Sequence, residues 1–319
     1  MYTVCLDAYT VFPAGHSRWA AFSDITDIEV YDRTSPEQIV ERACNADAIL
    51  TNKVVIDERV MSDLPKLRYI GVLATGYNVV DVDAARRRGI CVTNIPSYST
   101  MSVAQQVFAL LLAAVNSAET YASRNREGEW SACADFSYRI GEWHELAGHT
   151  FGIVGFGNIG KSVARIAEAF GMKVALYTSK KQEELPRGYV KMELDELFAQ
   201  SDVLSLHCPL TPETRNLVDS RRLALMKPSA IVINTSRGSV VDEHALAAAL
   251  NCGAIAAAGL DVLSREPADA ENPLLTARNC YITPHIAWAS VEARERLFSL
   301  ALSNLRAFAG GKPENVVGA

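Results

Sequence analysis

The sequence predicts an α/β protein built from two doubly wound parallel-sheet domains. Three observations predict it. Short apolar runs alternate with polar, helix-prone stretches along the whole chain, the pattern of strands covered on both faces by crossover helices. One run opens into G-x-G-x-x-G, the turn that begins a dinucleotide-binding sheet. The chain has 319 residues, more than one core usually serves.

The first set of apolar runs is 2–6, 28–31, 48–51, 69–74 and 91–95. Between them, PEQIVERAC from Pro36 and VDVDAARRRG from Val80 read as helices. Pro36 suits a first helical turn after Ser35, and Gly89 suits a stop. Asn52 and Lys53 follow the third run. The second set is 151–154, 174–177, 203–206, 230–233, 256–260 and 281–283, with helices at 158–170 and 243–250. The Ala- and Leu-rich stretch 101–121 reads as one long helix joining the two sets, leading into a polar segment with Trp130 and Trp143. The stretch 290–308 carries apolar residues at helical spacing after the last strand. It reads as crossing back, which makes the first domain discontinuous. The expected domains are 1–99 with 289–319, and 100–288.

Composition excludes several classes of function. Apolar residues make up 49% and charged residues 21%, as in ordinary soluble proteins, and the net charge is −6. An acidic balance argues against nucleic acid or an anionic membrane as partner. An anionic substrate must then be held by local positive charge. The seven cysteines are odd in number, lack any C-x-x-C pair and sit mostly in apolar runs. That predicts a reducing compartment, with no disulfide framework and no metal site. MYTVCLDAYT does not read as a signal peptide, and the membrane-like stretch 107–115 is far short of a span. A cytoplasmic location is expected.

In FGIVGFGNIG the glycines are Gly155, Gly157 and Gly160, with Phe156, Asn158 and Ile159 between them. Gly155 permits the tight turn, Gly157 lets backbone approach a pyrophosphate, and Gly160 lets the helix pack on the sheet. The helix start then offers unpaired N–H groups to phosphates. The acid that usually follows about 20 residues later is missing. The second strand ends in Thr178, Ser179, Lys180 and Lys181, with no Asp or Glu from Met172 to Gln182. A carboxylate there would repel a ribose 2′-phosphate. Small hydroxyls and lysines suit one, since it carries roughly two negative charges. NADP is therefore favoured over NAD.

Ligands of open α/β sheets bind beyond the carboxyl ends of the strands. Past the last strands lie Arg237 (TSRG), Asp261 and Glu266 (LDVLSREP), and His285 (PHI). Hydride transfer to a 2-keto acid builds negative charge on the carbonyl oxygen. His is the side chain suited to deliver the matching proton near neutrality. A Glu bonded to the imidazole favours its charged form and orients the ring. Arg grips carboxylate oxygens with its planar fork.

GFGNIG, NTSRGSVVDE, GLDVLSREP and PHIAWAS resemble the D-isomer-specific 2-hydroxyacid dehydrogenases over essentially the whole chain. LATGYNVVDVDAARRRGICVTNIPSYSTMSVAQ is similar to the glycerate dehydrogenase (hydroxypyruvate reductase) branch. The resemblance implies two Rossmann-like domains with the active site in the cleft between them, a substrate-binding first domain, and a homodimer. It implies Arg237 as substrate clamp, His285 as proton donor and Glu266 as the group that raises the His pKa. It places Asp261 near the nicotinamide carboxamide, and Thr235 and Ser236 with the cofactor contacts. His207, Cys208, Pro209 and Thr214 of HCPLTPET correspond to a wall of the cofactor pocket. Ala74, Thr75 and Gly76 are implied to offer backbone N–H groups to the substrate carboxylate, with Trp288 on the substrate side or packed in the core. The expected substrate is hydroxypyruvate or D-glycerate, with glyoxylate also accepted. The alternatives are another 2-keto acid such as pyruvate, or a dinucleotide-sensing binding protein.

Overall fold

The computed structural model describes residues 1–141 and 144–318, so Trp143 lies outside the described residues. The chain divides into two compact units, Met1–Ser99 with Ala289–Ala319, and Thr100–Trp288. Each holds one wholly parallel sheet.

In the first unit the strands are β1 (Tyr2–Cys5), β2 (Asp27–Val30), β3 (Ala48–Thr51), β4 (Tyr69–Val72) and β5 (Cys91–Thr93). They pair in the order β2-β1-β3-β4-β5. All residues of β3 and β4 are buried, as strands covered on both faces must be. Asp57 and Asp81 cap the helices that follow them by accepting from Val60 N and Ala84 N. Just past β1, the buried Asp7 carboxylate accepts the backbone N–H groups of Asn52 at 2.8 Å and Val54 at 3.1 Å, and that of Lys53. The loop after β3 is thus held by one side chain.

The last helix, Val291–Ala309, is built into this same unit. The Phe298 ring meets Phe12, Trp19 and Phe22 edge-on at 5.6, 5.1 and 5.3 Å. Arg296 Nε donates to Tyr98 O at 2.8 Å, and Asn304 Nδ2 to Asn94 O at 2.9 Å.

The second unit contains β6 (Thr150–Val154), β7 (Lys173–Tyr177), β8 (Val190–Lys191), β9 (Val203–Leu206), β10 (Ile231–Asn234), β11 (Ala257–Leu260) and β12 (Cys280–Ile282). The order is β12-β11-β10-β9-β6-β7-β8. Sequence patterning finds six of these strands. It misses β8, a two-residue edge strand with Val190 half exposed, which has no apolar run to betray it.

The expected single helix over 101–121 is corrected. It is two helices, Thr100–Asn116 and Ala118–Arg126, bent by 58° at Ser117, whose φ is +51°. The first buries Val103, Ala104, Val107, Phe108, Leu110 and Leu111. No residue of the second is fully buried, and it is tied to the segment after it: the Tyr121 ring meets Tyr138 at 5.6 Å, and Tyr138 Oη donates to Asn125 Oδ1 at 2.7 Å. Among the described residues, no single helix is long and apolar enough to cross a membrane.

Candidate active site

The strand order of the second unit reverses at β6, with β7 on one side and β9 on the other. The glycine turn follows β6 at that switch point. The three glycines are not equivalent. Gly155 has φ +95°, and a Cβ on it would lie 2.8 Å from the His207 carbonyl carbon. On Gly160 a Cβ would lie 2.3 Å from Gly155 O. Both are demanded by the protein's own packing. Gly157 is different, since a Cβ there would meet nothing within 4 Å. Its open space leaves room for a ligand to approach the backbone at the start of the helix Asn158–Ala169.

Thr178, Ser179 and Lys180 follow β7. Lys180 N donates to Thr178 Oγ1 at 3.3 Å, and Lys180 Nζ lies 6.0 Å from the centre of the Phe156 ring. Lys191 on β8 was invisible to the sequence reading. Its ammonium donates to Lys180 O at 2.8 Å and braces this turn.

The wall after β9 is self-contained. His207 Nε2 bonds Ser205 Oγ at 2.9 Å, and burial pushes its pKa down to about 3, so the ring is neutral. Burial pushes the Cys208 thiol up. Thr214 Oγ1 donates to Pro209 O at 2.7 Å, so this hydroxyl shapes its own loop. After β10, Asn234 accepts from Ser236 N and Ser236 Oγ and donates to Arg237 O at 2.9 Å, fixing the TSRG turn. Thr235 Oγ1 is buried with no hydrogen-bond partner among the described residues. A buried hydroxyl without a partner is costly unless a ligand supplies one. With the room at Gly157, it makes the site fit a dinucleotide. Ile159 is half-buried in the helix Asn158–Ala169.

Arg237, Asp261 and His285 follow β10, β11 and β12, three neighbouring strands that end on one edge of the sheet. His285 Nδ1 and Glu266 Oε2 are 2.6 Å apart, with side-chain exposures of 30% and 35%. Leu263 N donates to the other carboxylate oxygen, Glu266 Oε1, at 3.2 Å. The exposed Arg237 guanidinium gives one N–H to Ser236 O at 2.7 Å. Its turn packs directly on the Glu266 turn, because a Cβ on Gly238 would lie 1.9 Å from the Leu263 carbonyl carbon.

His285 has φ +55°, uncommon for a residue with a side chain. Asp261 holds it there. The Asp261 carbonyl accepts from His285 N at 2.7 Å. Its carboxylate accepts from Thr283 Oγ1, Ile286 N and Ala287 N at 2.6, 3.0 and 2.9 Å. Burial pushes this carboxyl up, against the pull of those bonds. From the helix Thr100–Asn116, Ser102 Oγ donates to Ala287 O at 2.6 Å and Gln106 Nε2 to Thr283 Oγ1 at 3.1 Å. Sequence reasoning found Asp261 but not these bonds, and it missed Ser102 and Gln106, which lie far away in the chain.

Trp288 is half-buried and ends this unit. Ala74, Thr75 and Gly76 belong to the first unit, just past β4. There Thr75 Oγ1 donates to Ile95 O and Asn94 Nδ2 to Thr75 O, both at 2.7 Å.

The histidine paired with a glutamate and the glycine turn with its open space both follow strands of the one seven-stranded sheet. Residues 108–287 match the family profile described as D-isomer specific 2-hydroxyacid dehydrogenase, NAD binding domain. The chain belongs to the D-isomer-specific 2-hydroxyacid dehydrogenases. It is 45% identical over 321 residues to a hydroxypyruvate reductase of Blautia hydrogenotrophica, covering 99% of each chain. It is 43% identical over 290 residues to a glycerate dehydrogenase of Methylorubrum extorquens, covering 90% of each. Similar solved structures include an acyclic imino acid reductase (Bsp5) in complex with NADPH and D-Arg, 31% identical, TM-score 0.87, covering 99% of this chain and 100% of that one. Another is a D-lactate dehydrogenase of Aquifex aeolicus complexed with NAD and lactic acid, 30% identical, TM-score 0.84, covering 100% and 99%. As a 2-hydroxyacid dehydrogenase, the chain is an NAD(P)-dependent oxidoreductase of hydroxy and keto acids.

Proposed function

We propose that this enzyme reduces a short 2-keto acid, hydroxypyruvate before glyoxylate or pyruvate, to the D-2-hydroxy acid with NADPH. The observation that carries the reaction type is the 2.6 Å bond between His285 and Glu266. When bound, the nicotinamide supplies the hydride. Because Nδ1 is taken by Glu266, Nε2 of His285 is the atom that delivers the proton to the substrate oxygen. Glu266 fixes the ring's orientation through that bond. Arg237 grips the substrate carboxylate and aligns the keto group.

The substrate preference rests on the names of the similar hydroxypyruvate reductase and glycerate dehydrogenase. The cofactor preference rests on Thr178, Ser179 and Lys180, with Lys191 adding a second ammonium beside the turn. One panel tests both, with initial rates on hydroxypyruvate, glyoxylate and pyruvate, each with NADPH and NADH. Hydroxypyruvate with NADPH is expected to be fastest, and Thr178→Asp to move the preference toward NADH. A faster NADH rate in the unaltered enzyme overturns the cofactor reading. No turnover on any acid turns the reading to a dinucleotide-sensing protein.

A homodimer in the cytoplasm is the proposed form. Supporting it, Trp130 and Phe136 are 55% and 91% exposed beyond the helix Ala118–Arg126, apolar area that a second copy would cover. All seven cysteines are free thiols, as a reducing compartment allows. Sedimentation is expected to give twice the chain mass, and a monomer mass would remove the dimer.

A further inference from the structure

The turn carrying Arg237 and the turn carrying Glu266 meet backbone to backbone. A Cβ on Gly238 would lie 1.9 Å from the carbonyl carbon of Leu263 and 2.3 Å from Ser264 N. One side chain is tied across this seam. Glu243 begins the helix Glu243–Cys252 that follows the Arg237 turn. Its Oε1 accepts from Ser264 N at 2.6 Å. Its Oε2 accepts from Ser264 Oγ at 2.7 Å and from Asn272 Nδ2 at 2.9 Å. Three donors from the Glu266 side therefore converge on one carboxylate from the Arg237 side.

Glu243 is not needed as its own helix's cap. Asp242 already fills that place, accepting from Ala245 N at 3.0 Å. Nor does the mechanism above use it. Its bonds go instead to Ser264, next to Leu263, whose N–H donates to Glu266 Oε1. The path from Glu243 to His285 is thus Ser264, the Leu263–Glu266 turn, and the Glu266 carboxylate. Each link is a hydrogen bond or a peptide unit, and those to Glu243 are charge-assisted.

We infer that Glu243 is a positioning residue that sets the register of the Arg237 turn against the Glu266 turn, and so holds the Glu266 carboxylate on His285 Nδ1. This rests on the reading of Arg237, Glu266 and His285 as the catalytic set. Its physical content is that a small slip at the seam moves clamp and proton donor relative to each other. Misplacement of about 1 Å from a remote change costs on the order of a hundredfold in rate.

Glu243→Gln tests it. The amide keeps the size and one acceptor but turns an NH₂ toward donors. In the enzyme with cofactor bound, kcat is expected to fall roughly tenfold to a hundredfold, with the cofactor dissociation constant unchanged. The downfield proton NMR signal of His285 Nδ1–H, identified by its loss in Glu266→Gln, is expected to move upfield or broaden. Unchanged kcat and an unchanged signal would overturn the inference, even if the variant melts earlier. Should Glu243→Gln fail to fold, Ser264→Ala removes one donor and leaves the backbone bond. It is expected to lower kcat to a smaller degree without changing cofactor affinity, and an unchanged kcat there counts against positioning. If Glu266→Gln itself keeps full kcat, the catalytic reading fails. If only Glu266→Gln loses kcat, the positioning role alone fails.

Discussion

Replacing His285 with Ala is expected to lower turnover by roughly 10²–10⁴-fold, the range for removal of a general acid. Cofactor affinity is expected to stay as it was, because the imidazole bonds Glu266. The backbone at His285 has φ +55°, where Ala is strained. His285→Asn is therefore the companion variant, since Asn accepts left-handed backbone and cannot act as the acid. If both variants lose turnover alike, the loss is chemical. If Asn restores much of what Ala loses, backbone strain is the larger effect. Turnover unchanged in both would remove His285 from proton transfer.

Arg237→Ala is expected to raise KM and lower kcat together. In the proposed role the guanidinium both binds the substrate carboxylate and aligns the keto group, so its loss would be felt in both constants. Two charge-assisted hydrogen bonds at about 1.5–3 kcal/mol each put the fall in kcat/KM at roughly 10²–10⁴-fold. Arg237→Lys is expected to recover only part of it, because an ammonium lacks the planar fork. A normal KM in Arg237→Ala would mean that the substrate carboxylate is held elsewhere.

Much of this site is legible in the sequence because of where parallel strands stop. Each apolar run ends in a few polar residues, and in a parallel sheet those residues share an edge. Arg237, Asp261 and His285 could be grouped on that ground, and β10, β11 and β12 are indeed neighbours. The glycine spacing was equally readable, although only the structure separates the packing glycines Gly155 and Gly160 from Gly157, whose space is open.

Other features were hidden for physical reasons. Ser117 is an ordinary residue in left-handed backbone, so no glycine marks the break in the long helix. Lys191 sits on a strand too short to form a pattern. Glu243, Ser102 and Gln106 act through hydrogen bonds to residues 21 to 185 positions away, and neither periodicity nor spacing reports on such partners.

Asp7 and Asp261 each gather backbone N–H groups of a distant loop, residues 52–54 in the first unit and residues 286–287 in the second. In the second unit, that arrangement bears on how small a molecule the enzyme can capture. A keto acid of about seven heavy atoms binds with at most ~1.5 kcal/mol per atom, and usually far less. Fixing the backbone of a loose residue costs about 1–2 kcal/mol, so ordering a few residues would consume most of that. With residues 286 and 287 already tied down by Asp261 when the chain folds, a small keto acid bound beside them would meet a finished mould. Its few contacts remain available for choosing among acids of nearly the same shape.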